Sequence, residues 1–266
     1  MTTTPNIAPT AASDIRSVLR ELGMWGLLAN WEEVRGAAWL GQMIAYERAE
    51  RQRRSLERRN RIASLKTFKP LCDFDWQWPG KIDRAAVEEL CTLDFIGECT
   101  NVVLIGPNSC GKTMIAKNLG HLALLAGYGV RFVSAAQMLG DLAARDSASA
   151  LNQRLGHYCR PPLLVVDELG YLAYDTRYAD LLFEVVTRRY QNAATVITTN
   201  KPFSDWGEVF PNASSVVTII DRLIHKAEII HIEADSYRLK EAKERADSKA
   251  KARKSRAATR NGRNPQ

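Results

Sequence analysis

Apolar residues along this chain recur in two different periods, and the change from one to the other divides it. From Ser13, a plausible N-cap, Ile15, Leu19 and Leu22 recur at helical spacing until Gly23 interrupts the run, and a second helix passes through Leu27, Leu28, Trp31 and Val34 to Gly36. Trp39 to Lys66 reads as one long helix, apolar on one face through Leu40, Met43 and Ile44 in its first half. Its second half, ERAERQRRSLERRNR, is dominated by arginine. After the connector FKPLCDFDWQWPG the period shortens: NVVLIG, VRFVSA, LLVVDE, ATVITTN and EIIHIE are β-branched runs separated by helix-length segments. That alternation is the pattern of parallel strands buried on both faces. A doubly wound α/β domain is therefore expected over residues 71–240, behind a helical N-terminal domain at 13–70. Residues 1–12, rich in Thr, Pro and Ala, and the basic residues 241–266 lack the apolar surface to fold and are expected to be disordered.

Composition narrows the class. A chain of 266 residues that is 45% hydrophobic builds a real core, and a formal net charge of +7 suggests a polyanionic partner. The charge is unevenly spread. Within the arginine-rich half-helix only Glu47, Glu50 and Glu57 offset Arg48, Arg51, Arg53, Arg54, Arg58, Arg59 and Arg61. Pairs at i, i+4 would make this a solvated face, yet the surplus favours contact with a polyanion. The five cysteines form no pair or cluster at zinc-ligand spacing and are expected to be free thiols in a reducing cytoplasm. The chain shows neither a signal-peptide pattern nor an apolar window of membrane-spanning length, so a soluble cytoplasmic protein with no membrane partner is expected.

The chemistry begins at GPNSCGKT, residues 106–113, which fits G-x-x-x-x-G-K-[ST] and lies between a strand and a helix, where a phosphate loop must lie. Gly106 and Gly111 let the backbone curl around Pro107, Asn108, Ser109 and Cys110 so that N–H groups, continuing through Met114, face the phosphates. Lys112 is expected on the β and γ phosphates of ATP, and the Thr113 hydroxyl on Mg²⁺. LLVVDE supplies the acids that hydrolysis needs: Asp167 to complete the magnesium site, partly through water, and Glu168 to activate the attacking water. ATVITTN ends in Asn200, placed to fix that water between the strands of the phosphate loop and Asp167.

The order of this loop, DELGY, TTN with KPFSDWGEVF, IIDRLIH and DSYRLK, together with the arginine-rich helix before FKPLCDFDW, resembles the IstB-type ATP-binding helpers of bacterial insertion-sequence transposition. These are relatives of the DnaC helicase loaders and DnaA initiators within the AAA+ ATPases. The resemblance implies a five-stranded parallel sheet of order 5-1-4-3-2, with strands near Val102, Phe132, Val165, Ile197 and Ile230, and no large C-terminal lid. It also implies a DNA-stimulated ATPase that forms a homo-oligomer on double-stranded DNA and engages a cognate transposase. In such oligomers an arginine of one subunit reaches the γ-phosphate held by the next. Arg222 matches that position, with Arg188 or Arg189 as second choice, and Arg238 is placed to approach the phosphates.

The chain departs from the family pattern twice. Asn108, Ser109 and Cys110 stand where an additional small residue or glycine is usual, and the segment after the second strand carries only Arg145 and Arg154 as strong bases where initiators insert a DNA-tracking helix. Arg53, Arg54, Arg58, Arg59 and Lys117 are the further candidates for DNA contact, along with the basic C-terminal segment. With no base-reading motif in the chain, such contacts would go mainly to phosphates. The alternatives are a helicase loader acting on single strands, with the same ATPase core, and an interaction protein that binds ATP as a switch without turnover.

Overall fold

The computed structural model describes residues 12–171, 176–210, 213–246 and 248–249. The expectations for residues 1–11, and for 247 and 250–266 of the basic segment, lie outside the described residues. The chain falls into two compact units, Met1–Arg58 and Arg59–Gln266.

The first unit is helical. Helix α1 (Ala12–Glu21), α2 (Trp25–Ala29), α3 (Trp31–Val34) and the first part of α4 (Trp39–Ala63) bury Val18, Leu19, Leu22, Trp31, Leu40 and Ile44 in one cluster. The expected second helix is two: at Asn30 the backbone leaves helical geometry (φ −104°, ψ 34°), and its side-chain amide donates to the Gly26 carbonyl at 2.9 Å, ending α2. The long helix stops at Ala63 instead of Lys66, because Ser64 and Lys66 both take left-handed φ, 59° and 54°.

The second unit is an α/β sandwich. After α5 (Arg84–Leu90) and α6 (Asp94–Gly97), the strands β1 (Asn101–Ile105), β2 (Val130–Ser134), β3 (Leu163–Leu169), β4 (Ala194–Thr199) and β5 (Ala227–His231) form one sheet in the order β2-β3-β4-β1-β5. Every pairing in it is parallel, and the order is the expected one read from the opposite edge. Val103 and Ile105 of β1, Val133 of β2, Leu164 and Val166 of β3 and Ile197 of β4 pack with the buried residues of α8 (Ala135–Ala143), α10 (Thr176–Arg189) and α12 (Ala213–Ile224). Helix α7 (Lys112–Leu125) packs across β2, β3 and β4, and α9 (Ala148–Cys159) leads back into β3. A short α11 (Trp206–Val209) follows β4, and after β5 a helical stretch at 237–246 carries the chain past Lys240. Among the described residues no helix is long and apolar enough to cross a membrane.

The crossovers place the carboxyl ends of β1, β3 and β4 side by side, with β4 in the middle. In an open parallel sheet that row of strand ends is where a ligand meets loops and helix N-termini.

Candidate functional site

The residues expected to bind phosphate lie in the loop from β1 to α7. Its glycines are required by space as well as by conformation. A Cβ on Gly106 would stand 2.4 Å from the Ile232 carbonyl, and one on Gly111, whose φ is 102°, 2.4 Å from Cε2 of Phe74. Ser109 is also left-handed, with φ 63°. Lys112 curls back over the loop, its ammonium donating to the carbonyls of Gly106 and Pro107 at 2.7 Å each, 3.8 Å from the Cys110 sulfur. Burial holds its pKa below the ordinary lysine value against the pull of Cys110, Asp167 and Glu168. The ammonium is thus retained by main-chain oxygens that a phosphate can replace.

The acids sit at the end of β3. Asp167 is buried, and its Oδ1 accepts hydrogen bonds from the hydroxyls of Thr113, at 2.9 Å, and Thr198, at 2.6 Å. The pairing of β3 with β4 shifts register between Val166 and Leu169, and Glu168 takes φ 60° within that irregularity. A bulge re-aims a side chain. Glu168 is accordingly exposed between two buried neighbours, and its backbone N–H donates to Thr198 Oγ1 at 2.9 Å. Next along β4, the Asn200 side-chain oxygen is buried without a hydrogen-bond partner, a polar atom directed to an acceptor's role with nothing donated to it.

Asn108, Lys112, Thr113, Glu168, Thr198 and Asn200 all line one cavity of about 340 Å³. The same cavity is lined by Phe68, Phe74 and Trp78 of the connector and by Tyr237, with Lys69, Arg238 and Glu241. Buried Asn118 of α7 fastens the connector, donating to the Lys69 and Met114 carbonyls at 3.0 and 2.8 Å and accepting from the Leu71 N–H at 2.9 Å. The 237–246 helix is clamped to the connector by Lys69 with Glu241 at 2.9 Å and by Lys240 with Asp75 at 3.0 Å. The Tyr237 N–H donates to the Ser109 carbonyl of the phosphate loop at 3.2 Å.

The candidates from one subunit to the next separate clearly. Arg222 does not line the cavity of its own chain; its guanidinium donates to the Thr187 hydroxyl and lies 4.9 Å from the Phe183 ring centroid. Arg188 is tied to Glu184 and to Asn152. Arg189 is only 2% exposed and donates to the Tyr158, Cys159 and Pro161 carbonyls at 3.1, 3.0 and 2.9 Å and to the Thr195 hydroxyl at 3.0 Å. Burial pushes its pKa down to about 10. An arginine so enclosed cannot extend to another subunit, which removes it from the second choice.

Of the DNA-contact candidates, Arg59, Arg145 and Arg154 line one groove and the others lie elsewhere. Arg53 and Arg54 pair with Glu50, and Arg53 also with Glu57, so part of the arginine surplus is answered along α4. Arg58 is exposed, and Arg59 donates to the Leu124 carbonyl at 3.4 Å. Lys117 lines the cavity over the phosphate loop, its ammonium 5.0 Å from the Phe132 ring centroid. Arg145 and Arg154 both bond Asp141.

Residues that sequence reasoning missed are Thr198, Asn118 and the connector aromatics. The doubled threonine before Asn200 and an asparagine facing the apolar side of α7 were the only signals for the first two.

The family described as IstB-like ATP binding protein matches residues 24–245. The chain is 31% identical over 220 residues to the ATP-binding protein of insertion sequence IS5376 from Geobacillus stearothermophilus, covering 82% of this chain and 88% of that protein. It is 37% identical over 191 residues to the counterpart in insertion sequence IS21 from Pseudomonas aeruginosa, covering 72% of each. In fold it is similar to DnaI, with a TM-score of 0.52 at 19% identity over 63% of this chain and 92% of DnaI. It is likewise similar to AMPPCP-bound DnaA from Aquifex aeolicus, with a TM-score of 0.53 at 20% identity over 70% of this chain and 56% of DnaA.

Proposed function

Because the chain belongs to the IstB-like ATP-binding proteins of insertion sequences and carries an AAA+ core, we propose that it is the ATP-hydrolysing helper of insertion-sequence transposition. In this reading it is a cytoplasmic protein that assembles as a homo-oligomer on double-stranded target DNA, recruits or stimulates its transposase, and resets by turnover.

The observation that carries the reading is the meeting of Lys112, Thr113, Asp167, Glu168 and Asn200 at adjacent strand ends. ATP lies with its phosphates on the loop from Gly106 to Met114. The Thr113 hydroxyl and the Asp167 carboxylate, 2.9 Å apart, fit the oxygen-donor chemistry of magnesium and would hold the ion, Asp167 partly through water. Mg²⁺ supplies charge neutralisation at the β and γ phosphates. Lys112 exchanges its carbonyl partners for phosphate oxygens, Glu168 takes a proton from the attacking water, and the Asn200 side-chain oxygen accepts a hydrogen bond from that water. Arg222 acts on the nucleotide of the adjoining subunit, and Arg238 stands over the nucleotide of its own chain.

Mixing two inactive proteins tests this arrangement. Glu168→Gln should bind ATP and assemble on duplex DNA without turnover, and Arg222→Ala should lose turnover by about 10³ to 10⁵ if it acts as an arginine finger. Their mixture creates interfaces in which an intact Glu168 faces an intact Arg222, so phosphate release should partly return. Mixed oligomers on DNA that remain as inactive as either parent would rule Arg222 out as the finger. Phosphate release stimulated by single strands and not by duplex would favour a loader over a transposition helper.

A further inference from the structure

A second cavity in the ATPase unit, of about 710 Å³, gathers four arginines and a histidine among its lining residues, bringing the end of one helix to a stretch far along the chain. Arg59 comes from the end of α4, Val130 from the start of β2, and Arg145, Arg154, His157 and Arg160 from in and around α9. Arg131 borders it: Nη1 donates to the carbonyl of Ile62, another wall residue, at 2.8 Å, and its guanidinium lies 5.9 Å from the Tyr158 ring centroid. Among the described residues no carboxylate lines the groove.

Arg145 and Arg154 are positioned rather than trailing in solvent. Asp141, behind the wall, bonds Arg145 at 3.0 Å and Arg154, and accepts the Tyr158 hydroxyl at 2.6 Å. One carboxylate orients two guanidiniums and cancels one charge. Arg154 also lies 5.5 Å from the Tyr158 ring centroid, leaving its side chain 35% exposed. Much of the entropy that a free arginine loses on gripping an anion has therefore been lost in folding. His157 adds a buried Nε2 with no hydrogen-bond partner. On α4, by contrast, Arg51, Arg53 and Arg54 lie on an exposed face threaded with Glu47, Glu50 and Glu57.

We propose that this groove holds the phosphodiester backbone of duplex DNA, giving the AAA+ unit its own DNA-contact surface; the proposal rests on the DNA-binding reading above and locates it. The ligand chemistry follows from the donors. Fixed guanidiniums suit phosphate oxygens, and the absence of a base-reading element leaves the contact indifferent to sequence.

The test uses the full chain with a non-hydrolysable ATP analogue, measuring anisotropy of a fluorescent duplex over a series of salt concentrations. Arg160→Glu and Gln153→Glu each place a negative charge in the groove at an exposed position without touching Asp141. Each should weaken duplex binding about tenfold or more, and Arg160→Glu should flatten the log-log salt dependence by about 0.9, the loss of one phosphate contact. Arg84→Gln, which removes an exposed arginine of α5 paired with Glu88, serves as the comparison and should leave that slope in place. Thermal melting and analogue binding report whether each variant is folded, and Gln153→Glu carries the test if Arg160→Glu melts early. Folded variants that bind duplex as the parent does would overturn the groove. Groove-dependent binding of single strands without duplex binding would overturn the choice of duplex. A parent protein that binds no DNA at any salt would instead remove the helper reading on which the groove rests.

Discussion

Thr198→Val removes one oxygen and tests how the two acids at the end of β3, Asp167 and Glu168, are held. The Thr198 hydroxyl is fully buried, donates to Asp167 at 2.6 Å and accepts the Glu168 N–H at 2.9 Å. Valine matches its shape and can do neither. A hydrogen bond to a charged group contributes about 1.5–3 kcal/mol, and an N–H left without a partner costs about 1–3 kcal/mol. Because Asp167 keeps its bond to Thr113, the net loss should be about 2–4 kcal/mol. At roughly 3 °C per kcal/mol for a domain of this size, the Tm should fall by about 6–12 °C. Turnover should suffer more than binding. The Glu168 peptide, held at φ 60° by that bond, loses its anchor, and misplacing the base proposed above costs on the order of 10²-fold in rate. Scanning calorimetry and phosphate release, beside binding of a fluorescent ATP analogue, separate the three effects. Thr198→Ser, which keeps the hydroxyl and loses a methyl, should lie within about 1 kcal/mol of the parent. If Thr198→Val melts and turns over like the parent, the hydroxyl does not position the acids and the reasoning fails.

Two further substitutions probe the walls. Gly111→Ala places a methyl 2.4 Å from Cε2 of Phe74 at a φ of 102°, so it should abolish binding of the ATP analogue by displacing either the loop or the connector; retained affinity would mean that Phe74 does not seat against the phosphate loop. Arg189→Met strips donors from several buried carbonyls and from Thr195, and should lower the urea-unfolding free energy by about 3–5 kcal/mol. A loss within about 1 kcal/mol would show that those carbonyls find other partners.

What could be read in the chain was what depends on neighbours in sequence. The strands were legible because each is a short run rich in β-branched residues, and the phosphate loop because its glycines, lysine and threonine are contiguous. Asp167, Glu168 and Asn200 could be placed because each ends such a run. Contacts across long stretches of chain were not legible. Thr198 looks like any strand threonine, since its partner is 31 residues away. Asn118 reads as a polar lapse on α7 until the connector lies against it. Arg59, Arg145 and Arg154 could be named singly as bases, but not their meeting with Arg160 in one groove, because α4 and α9 lie far apart in sequence. Helix ends also escaped: nothing local announces that Ser64 and Lys66 turn left-handed.

The hydrogen bond from the Tyr237 N–H to the Ser109 carbonyl governs where the chain can be shortened. A cut after Lys240, the natural place to remove the basic C-terminal segment, would delete Glu241 and release Lys69. The helix carrying Arg238 would lose one of its two clamps, and the segment bonded to the phosphate loop would become a fraying end. A loss of DNA binding after such a cut could not be attributed to the charges removed, because the nucleotide site would have been opened by the same stroke. Ending the chain beyond 246 keeps the roof of the ATP site in place and makes the removal of positive charge a clean operation.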